Sequence, residues 1–324
     1  MRECASMRPC PARRSRRAVL CNLAGLAAAA LIALCVTAAA GEEAAAPAAQ
    51  MKARDKFWIF GVRPGQDDTL IGRCVKPHPR FGSKVTPAEA AFYLNVPNMI
   101  MVNCDGIPAP FSRQAEDYAF TFTPMKKVLW SSTGSGGYRA GNEEEFIVSL
   151  AQRHSNICGA FMDDFFGKFA KLPEPDRTER TRELLKTVRA GLDKASRPLE
   201  LYVVWYTHET GAVDQSLFQM IDGITLWTWD SRELPQLEER YAKIEKVFPD
   251  KKKMLGIYLF DFKNGCPVPK EMMELQCALG LKLMKEGRLD GMIFEANSVM
   301  GVGFPNDEWT RQWIQRFGDT VVPK

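Results

Sequence analysis

Two adjacent carboxylates, Asp163 and Asp164, follow the run Gly159-Ala160-Phe161-Met162 and precede Phe165-Phe166-Gly167. Small and apolar residues running into paired acids is the pattern of a buried strand that surfaces at a site. Asp is a poor strand residue and costly to bury unpaired, so the pair needs a reason. A helix N-terminus seeking a negative cap is one reason. A pocket in which the pair does acid–base or binding work is the other. Phe165-Phe166-Gly167 stand between the acids and the next helical pattern, near Arg177, which weakens the capping explanation.

Other acids also close apolar runs. Asp105, Asp230, Asp261 and Glu295 are placed this way, Asp67 and Asp68 lie in the loop after the first run, and Trp130, Trp205, Trp227, Trp229 and Tyr258 are in or beside the same runs. Carboxylates hydrolyse glycosidic bonds in pairs, one raised in pKa to donate a proton and one ionised to attack or to activate water. Aromatic side chains beside them offer flat apolar faces on which sugar rings can lie. The candidate catalytic residues are therefore Asp163 and Asp164 with Glu295, Asp261 or Asp230. The candidate substrate contacts are Trp130, Trp205, Trp227, Trp229, Tyr258 and Arg63.

Other chemistries fit less well. His78, His154 and His208 are scattered singly, so a His-rich metal hydrolase lacks its ligands. An all-oxygen Mg or Ca site from Asp163, Asp164 and Asp261 stays open as an alternative. Lys263 precedes Asn264-Gly265 and reads as a turn lysine rather than a Schiff-base former. The loop Gly134-Ser135-Gly136-Gly137 lacks the Gly-Lys-Ser/Thr ending of a phosphate cradle, and no Gly-x-Ser-x-Gly elbow is present. No cofactor is expected.

These residues need strands to position them. Apolar strand-like runs begin at Phe57, Met99, Lys127, Gly159, Leu199, Gly223, Met254 and Gly291. Amphipathic helical patterns cover residues 142–153, 177–195, 238–247 and 269–285, and a last helix carries Trp309 and Trp313 one turn apart. Thr86-Pro87-Ala88-Glu89 opens another helix, with an N-cap, Pro at N1 and Glu at N3. Residues 63–85 read as a long Pro/Gly loop. Eight strands alternating with helices or loops in one domain-sized chain predict a (β/α)8 TIM barrel, whose active site lies at the C-terminal rim of the strands. A doubly wound sheet is the alternative, but its glycine fingerprint after the first strand is missing.

A weak repeat supports the barrel. Gly159, Gly223 and Gly291 each lie four residues before Asp163, Trp227 and Glu295. Because side chains alternate along a strand, Asp163, Trp227, Trp229 and Glu295 are expected to share one face. Asp164 and Asp261, five residues after Gly159 and Gly256, count to the other.

The N-terminus reads as an export signal. Six arginines precede an Ala/Leu-rich run, and Ala38-Ala39-Ala40 supplies a small-residue cleavage site. Ser15-Arg16-Arg17-Ala18-Val19-Leu20 resembles a twin-arginine signal. Residues 41–54 form an Ala/Pro-rich tether, and residues 55–324 the barrel domain. Removing the +5 of residues 1–40 from the chain's +4 leaves the remainder at −1, which argues against a nucleic-acid partner. Membrane contact is expected only through the signal, and the mature protein is placed in the periplasm or outside the cell. Five cysteines follow the signal, namely Cys74, Cys104, Cys158, Cys266 and Cys277, with no CxxC spacing. One disulfide is open to an oxidised chain, with partners that spacing does not select.

The layout resembles secreted glycoside-hydrolase-type TIM barrels. The melibiase-like clan places its nucleophile Asp after strand four and its acid Asp after strand six, which implies Asp163 or Asp164 and Asp230 here. The chitinase-like families close strand four with a spaced run of acids ending in Glu, and Asp163-Asp164-Phe165-Phe166 departs from that. The expectation is an exported carbohydrate-active hydrolase acting on a carbohydrate substrate. A non-catalytic barrel that binds glycan or a partner, and a divalent-metal hydrolase on the same rim, are the alternatives.

Overall fold

Runs of Val, Ile, Leu, Met and aromatic residues too short for helices form eight parallel strands, buried on both faces as a barrel wall must be. The computed structural model describes residues 50–74, 82–165, 169, 171–209 and 215–324. The export signal, most of the tether, His78, Phe166 and Gly167 lie outside the described residues. The strands are β1 (Phe57–Gly61), β2 (Asn98–Met101), β3 (Lys127–Thr133), β4 (Ile157–Met162), β5 (Glu200–Tyr206), β6 (Gly223–Trp227), β7 (Lys252–Tyr258) and β8 (Gly291–Glu295). Each pairs with its sequence neighbours, and β8 closes on β1 with Phe57 opposite Met292 and Phe60 opposite Glu295. This is the (β/α)8 barrel.

Helices α1 (Asp68–Cys74) and α2 (Pro87–Leu94) follow β1. Then come α3 (Arg113–Thr121), α4 (Glu143–Arg153), α5 (Asp176–Leu192), α6 (Leu237–Val247), α7 (Lys270–Lys285) and α8 (Pro305–Phe317). Thr86 caps α2 as a capping box, accepting from the Glu89 N–H. Two helices depart from the sequence expectation. Part of the long loop after β1 is α1, and α3 is set off by Ser112, whose hydroxyl accepts from the Ala115 N–H. Between β5 and β6 the described cover is a 3-10 helix, Gln215–Met220. β3 runs three residues past its apolar stretch because Ser131 and Thr133 stay in the wall through hydrogen bonds, to the Asn103 N–H and the Asp163 carbonyl. Among the described residues no helix is long and apolar enough to cross a membrane.

Strand alternation sorts the large rings into two layers. Phe60 meets Phe161 and Trp227 inside the barrel, with ring centroids 6.0 and 5.6 Å apart. Trp130 packs on Phe122 and Phe146, and Trp205 on Phe218 and Phe248, between the wall and its outer cover. Trp313 turns to Phe57 and Phe294 in that outer layer. Gly256 of β7 leaves the space that the Trp227 ring fills, since a methyl group there would lie inside the ring. Residues Gln50–Lys324 make one compact unit.

Candidate active site

The C-terminal ends of β1 and β4 to β8 surround a cavity of about 260 Å³. Asp163, Asp164 and Glu295 line it, as do Trp227, Trp229 and Tyr258, with Phe60, Asp67, Cys104 and Tyr206 among the other wall residues.

Asp163 follows the last residue of β4. Its backbone is clamped to β3: its N–H donates to the Thr133 carbonyl at 3.0 Å, and the Thr133 hydroxyl donates to its own carbonyl at 3.0 Å. Its side chain is buried. Burial and the neighbouring Asp164 push its carboxyl well above the usual range, and an N–H donated by Asp164 opposes them.

Asp164 adopts a left-handed conformation, φ 42°, which a short polar side chain tolerates better than most. The strand alternation ends at Met162, so counting by twos from Gly159 no longer predicts where Asp164 points. The structure turns it into the same cavity as Asp163, contrary to the parity expectation. Its Oδ1 accepts from the Tyr206 hydroxyl at 2.6 Å, and its Oδ2 from the Gly136 N–H at 2.8 Å. Gly136 sits at φ 65° in the 3-10 turn Ser135–Gly137, a conformation open to glycine at little cost. Arg139 holds this loop with a two-pronged grip on Glu144, both contacts 2.7 Å, and a bond to the Ser132 carbonyl. The glycine loop thus presents an amide to a carboxylate.

Glu295 closes β8. Its Oε2 is out of reach of solvent and has no hydrogen-bond partner among the described residues. Burial first, then the charges of Asp163, Asp67 and Asp164, pushes its carboxyl well above the usual range. A fourth acid, Asp67, belongs to the same field. It accepts from the Ser298 hydroxyl, and burial raises its pKa as well. Asp67 was among the acids the sequence placed at the rim, but its loop position did not single it out from Asp68, whereas Tyr206 could have been found as the inward residue at the end of β5.

Aromatic rings build much of the remaining wall. Trp227 packs against Tyr258 at 5.0 Å and spends its N–H on Thr225 within β6. Trp229, just past the strand, lies edge-on to Tyr206 and Tyr258 and stacks with Phe262. On its other side a second cavity of about 460 Å³ shares Asp164, Tyr206 and Trp229 and adds His208, Asp230, Glu233 and Lys263. His208 stacks on Tyr206 with ring centroids 5.4 Å apart.

The remaining candidates fall elsewhere. Trp130 and Trp205 point outward from the strands and line neither cavity. Asp261 is buried and accepts from Ser231 and Asn264, tying the loops after β6 and β7 together. It is not part of the acidic cavity, so it cannot complete an all-oxygen metal site with Asp163 and Asp164. Asp230 borders the second cavity and caps the 3-10 helix Ser231–Gln236. Hydrogen bonding from Arg232 holds its carboxyl well below the usual range. Arg63 spans Gln66 and Asp105 without lining the cavity. Among the described residues no group of His, Cys, Asp and Glu is placed to hold a metal ion.

Fold and site define a (β/α)8 barrel whose mouth is an acidic cavity walled by aromatic rings. Comparison with known protein families finds no match, and comparison with curated proteins finds none. Among solved structures, the chain is similar in fold to the PgaB (BpsB) glycoside hydrolase domain from Bordetella bronchiseptica. The two are 11% identical, with a TM-score of 0.44 over 79% of this chain and 98% of that chain. The GH99 endo-alpha-mannosidase from Bacteroides thetaiotaomicron is 9% identical, with a TM-score of 0.47 over 81% of this chain and 97% of that one. QR15, an aldolase, is 10% identical with a TM-score of 0.42, covering 81% and 98% respectively.

Proposed function

We propose that the protein is an exported carbohydrate-active hydrolase in which Glu295 and Asp163 are the catalytic carboxylates. The observation that carries this reading is the convergence of Asp163, Asp164 and Glu295 on one aromatic-walled cavity. Burial and the charge of Asp163 both favour the neutral form of Glu295, so of the two carboxyls Glu295 is the one that keeps its proton when Asp163 ionises. Glu295 is the proton donor. Its enclosed Oε2 has no donor to stabilise a negative charge, and a neutral acid costs least there. Asp163 has the Asp164 N–H to support its anion and serves as the carboxylate that attacks the anomeric carbon or activates water. Asp164 is fixed at both oxygens by Tyr206 and Gly136 and braces the site beside Asp163. The faces of Trp227, Trp229 and Tyr258 take the apolar sides of sugar rings. The export signal and the tether deliver the barrel to glycans outside the cytoplasm.

A hydrolysis screen on a panel of glycans and chromogenic glycosides tests the reading. Wild-type protein is expected to cleave at least one, and Asp163→Asn and Glu295→Gln each to lower kcat by about 10²–10⁴-fold with binding retained. Should wild type bind glycans yet turn none over, the enzyme reading falls and the barrel is a glycan-binding protein.

A further inference from the structure

Helix α1 ends at Cys74, and the residues after β7 form a short antiparallel ribbon in which Cys266 pairs with Asp261. The two segments meet at the mouth of the barrel. The Cys74 Sγ rests against the Gly265 carbonyl oxygen, one peptide group from Cys266. A side chain at Gly265 would begin 3.9 Å from that sulfur. Both cysteines are partly exposed, so an oxidant can reach them. The other three cysteines among the described residues are placed differently: Cys104 and Cys277 are buried, and Cys158 on β4 points its thiol at the Val128 carbonyl.

From this juxtaposition we propose that Cys74 and Cys266 form a disulfide that cross-links α1 to the ribbon after β7. Proximity has an electrostatic trace as well. Burial raises the Cys74 thiol above its usual range, and the nearby Cys266 adds to the rise. The oxidant is a disulfide, either a small molecule such as oxidised glutathione or a dithiol oxidase of an oxidising compartment. One cysteine attacks a sulfur of that disulfide to give a mixed disulfide, which the second cysteine resolves. The Cys74–Cys266 bond forms, the oxidant's S–S bond breaks, and its two sulfurs leave as thiols with the two protons and two electrons. The cross-link joins segments far apart in sequence, where loss of unfolded-chain entropy is largest. It also pins two parts of the cavity wall, since Leu70 rides on α1 and Phe262 on the loop after β7.

The test is peptide mapping of the full chain after equilibration with oxidised and reduced glutathione. Free thiols are alkylated under denaturing conditions before digestion. The expected result is a cross-linked peptide pair containing Cys74 and Cys266, with Cys104, Cys158 and Cys277 alkylated. In Cys266→Ser, Cys74 is expected alkylated or joined to glutathione, and reduction of wild type lowers Tm by several degrees. Recovery of both Cys74 and Cys266 as alkylated thiols from the oxidised wild type, or of either one joined to another cysteine of the chain, overturns the proposal. The wild-type map decides this without the variant and without any measurement of activity.

Discussion

The Tyr206 hydroxyl, at the end of β5, donates to Asp164 Oδ1 at 2.6 Å across the mouth of the barrel. The other oxygen of the same carboxyl takes the Gly136 N–H at 2.8 Å. Strand five and the loop after strand three therefore hold between them an acid from the turn that follows strand four. Its left-handed backbone is what lets it turn toward both. A short donor–acceptor distance of this kind is typical of a hydroxyl bonded to a carboxylate.

Removing that donor should therefore disturb chemistry more than folding. Tyr206→Phe keeps the ring that stacks on His208 and meets Trp229, and deletes only the hydroxyl. A hydrogen bond to a charged group contributes about 1.5–3 kcal/mol, so kcat on a cleaved substrate is expected to fall by about 10- to 100-fold. Steady-state kinetics beside a thermal melt will measure both. A variant with full kcat would show that Asp164 needs no positioning by Tyr206.

Burial of Asp163 and Glu295 makes a prediction about stability and pH that requires no substrate. Both carboxyls are pushed up by burial first, Asp163 then by the charge of Asp164 and Glu295 by those of Asp163, Asp67 and Asp164. The unfolded chain releases these protons near the ordinary value of about 4, and the folded chain holds them to higher pH. Between those limits the folded state binds more protons than the unfolded state, so stability falls as pH rises. Glu295→Gln removes the Glu295 share of that loss. Relative to wild type, its Tm is expected to be nearly unchanged below about pH 4 and to gain steadily above it. Melts of the two proteins from pH 3 to pH 8 give the comparison, and parallel curves would remove the buried acid from the account.

The barrel was legible because eight buried strands print eight apolar runs, with turn and helix signals between them. Inward and outward residues were harder to read, since a strand buried on both faces carries apolar side chains at every position. Trp205 and Tyr206 are neighbours in one run, yet the first packs on Phe218 and Phe248 and the second reaches the cavity. Asp164 and Asp261 share an offset from their glycines, but the backbone turn at φ 42° brings only Asp164 to the cavity. Asp261 is taken up by Ser231 and Asn264, partners chosen by loop conformation. Helix α1 was hidden because its seven residues include Gly72 and leave only Ile71 fully buried, too little to print a period.

That split among the tryptophans can be tested directly. Trp229 is half-buried between the two cavities at the mouth, while Trp205 is sealed beneath the cover of the wall. Trp229→Ala takes away a large apolar face at the rim, at the cost of its ring contacts to Tyr206, Tyr258 and Phe262. If a sugar ring lies on that face, the loss of about 1.5–3 kcal/mol of burial raises KM or Kd by about 10- to 100-fold, with a smaller fall in Tm than Trp205→Ala gives. Trp205→Ala leaves a void among Phe218 and Phe248 and is expected to cost about 3–5 kcal/mol of stability, with KM unchanged in the molecules that fold. Calorimetric binding of a glycan ligand and thermal melts on both variants separate the roles. If Trp205→Ala weakened binding at a native Tm while Trp229→Ala left it intact, the sugar platform would have to be sought on the other side of the wall.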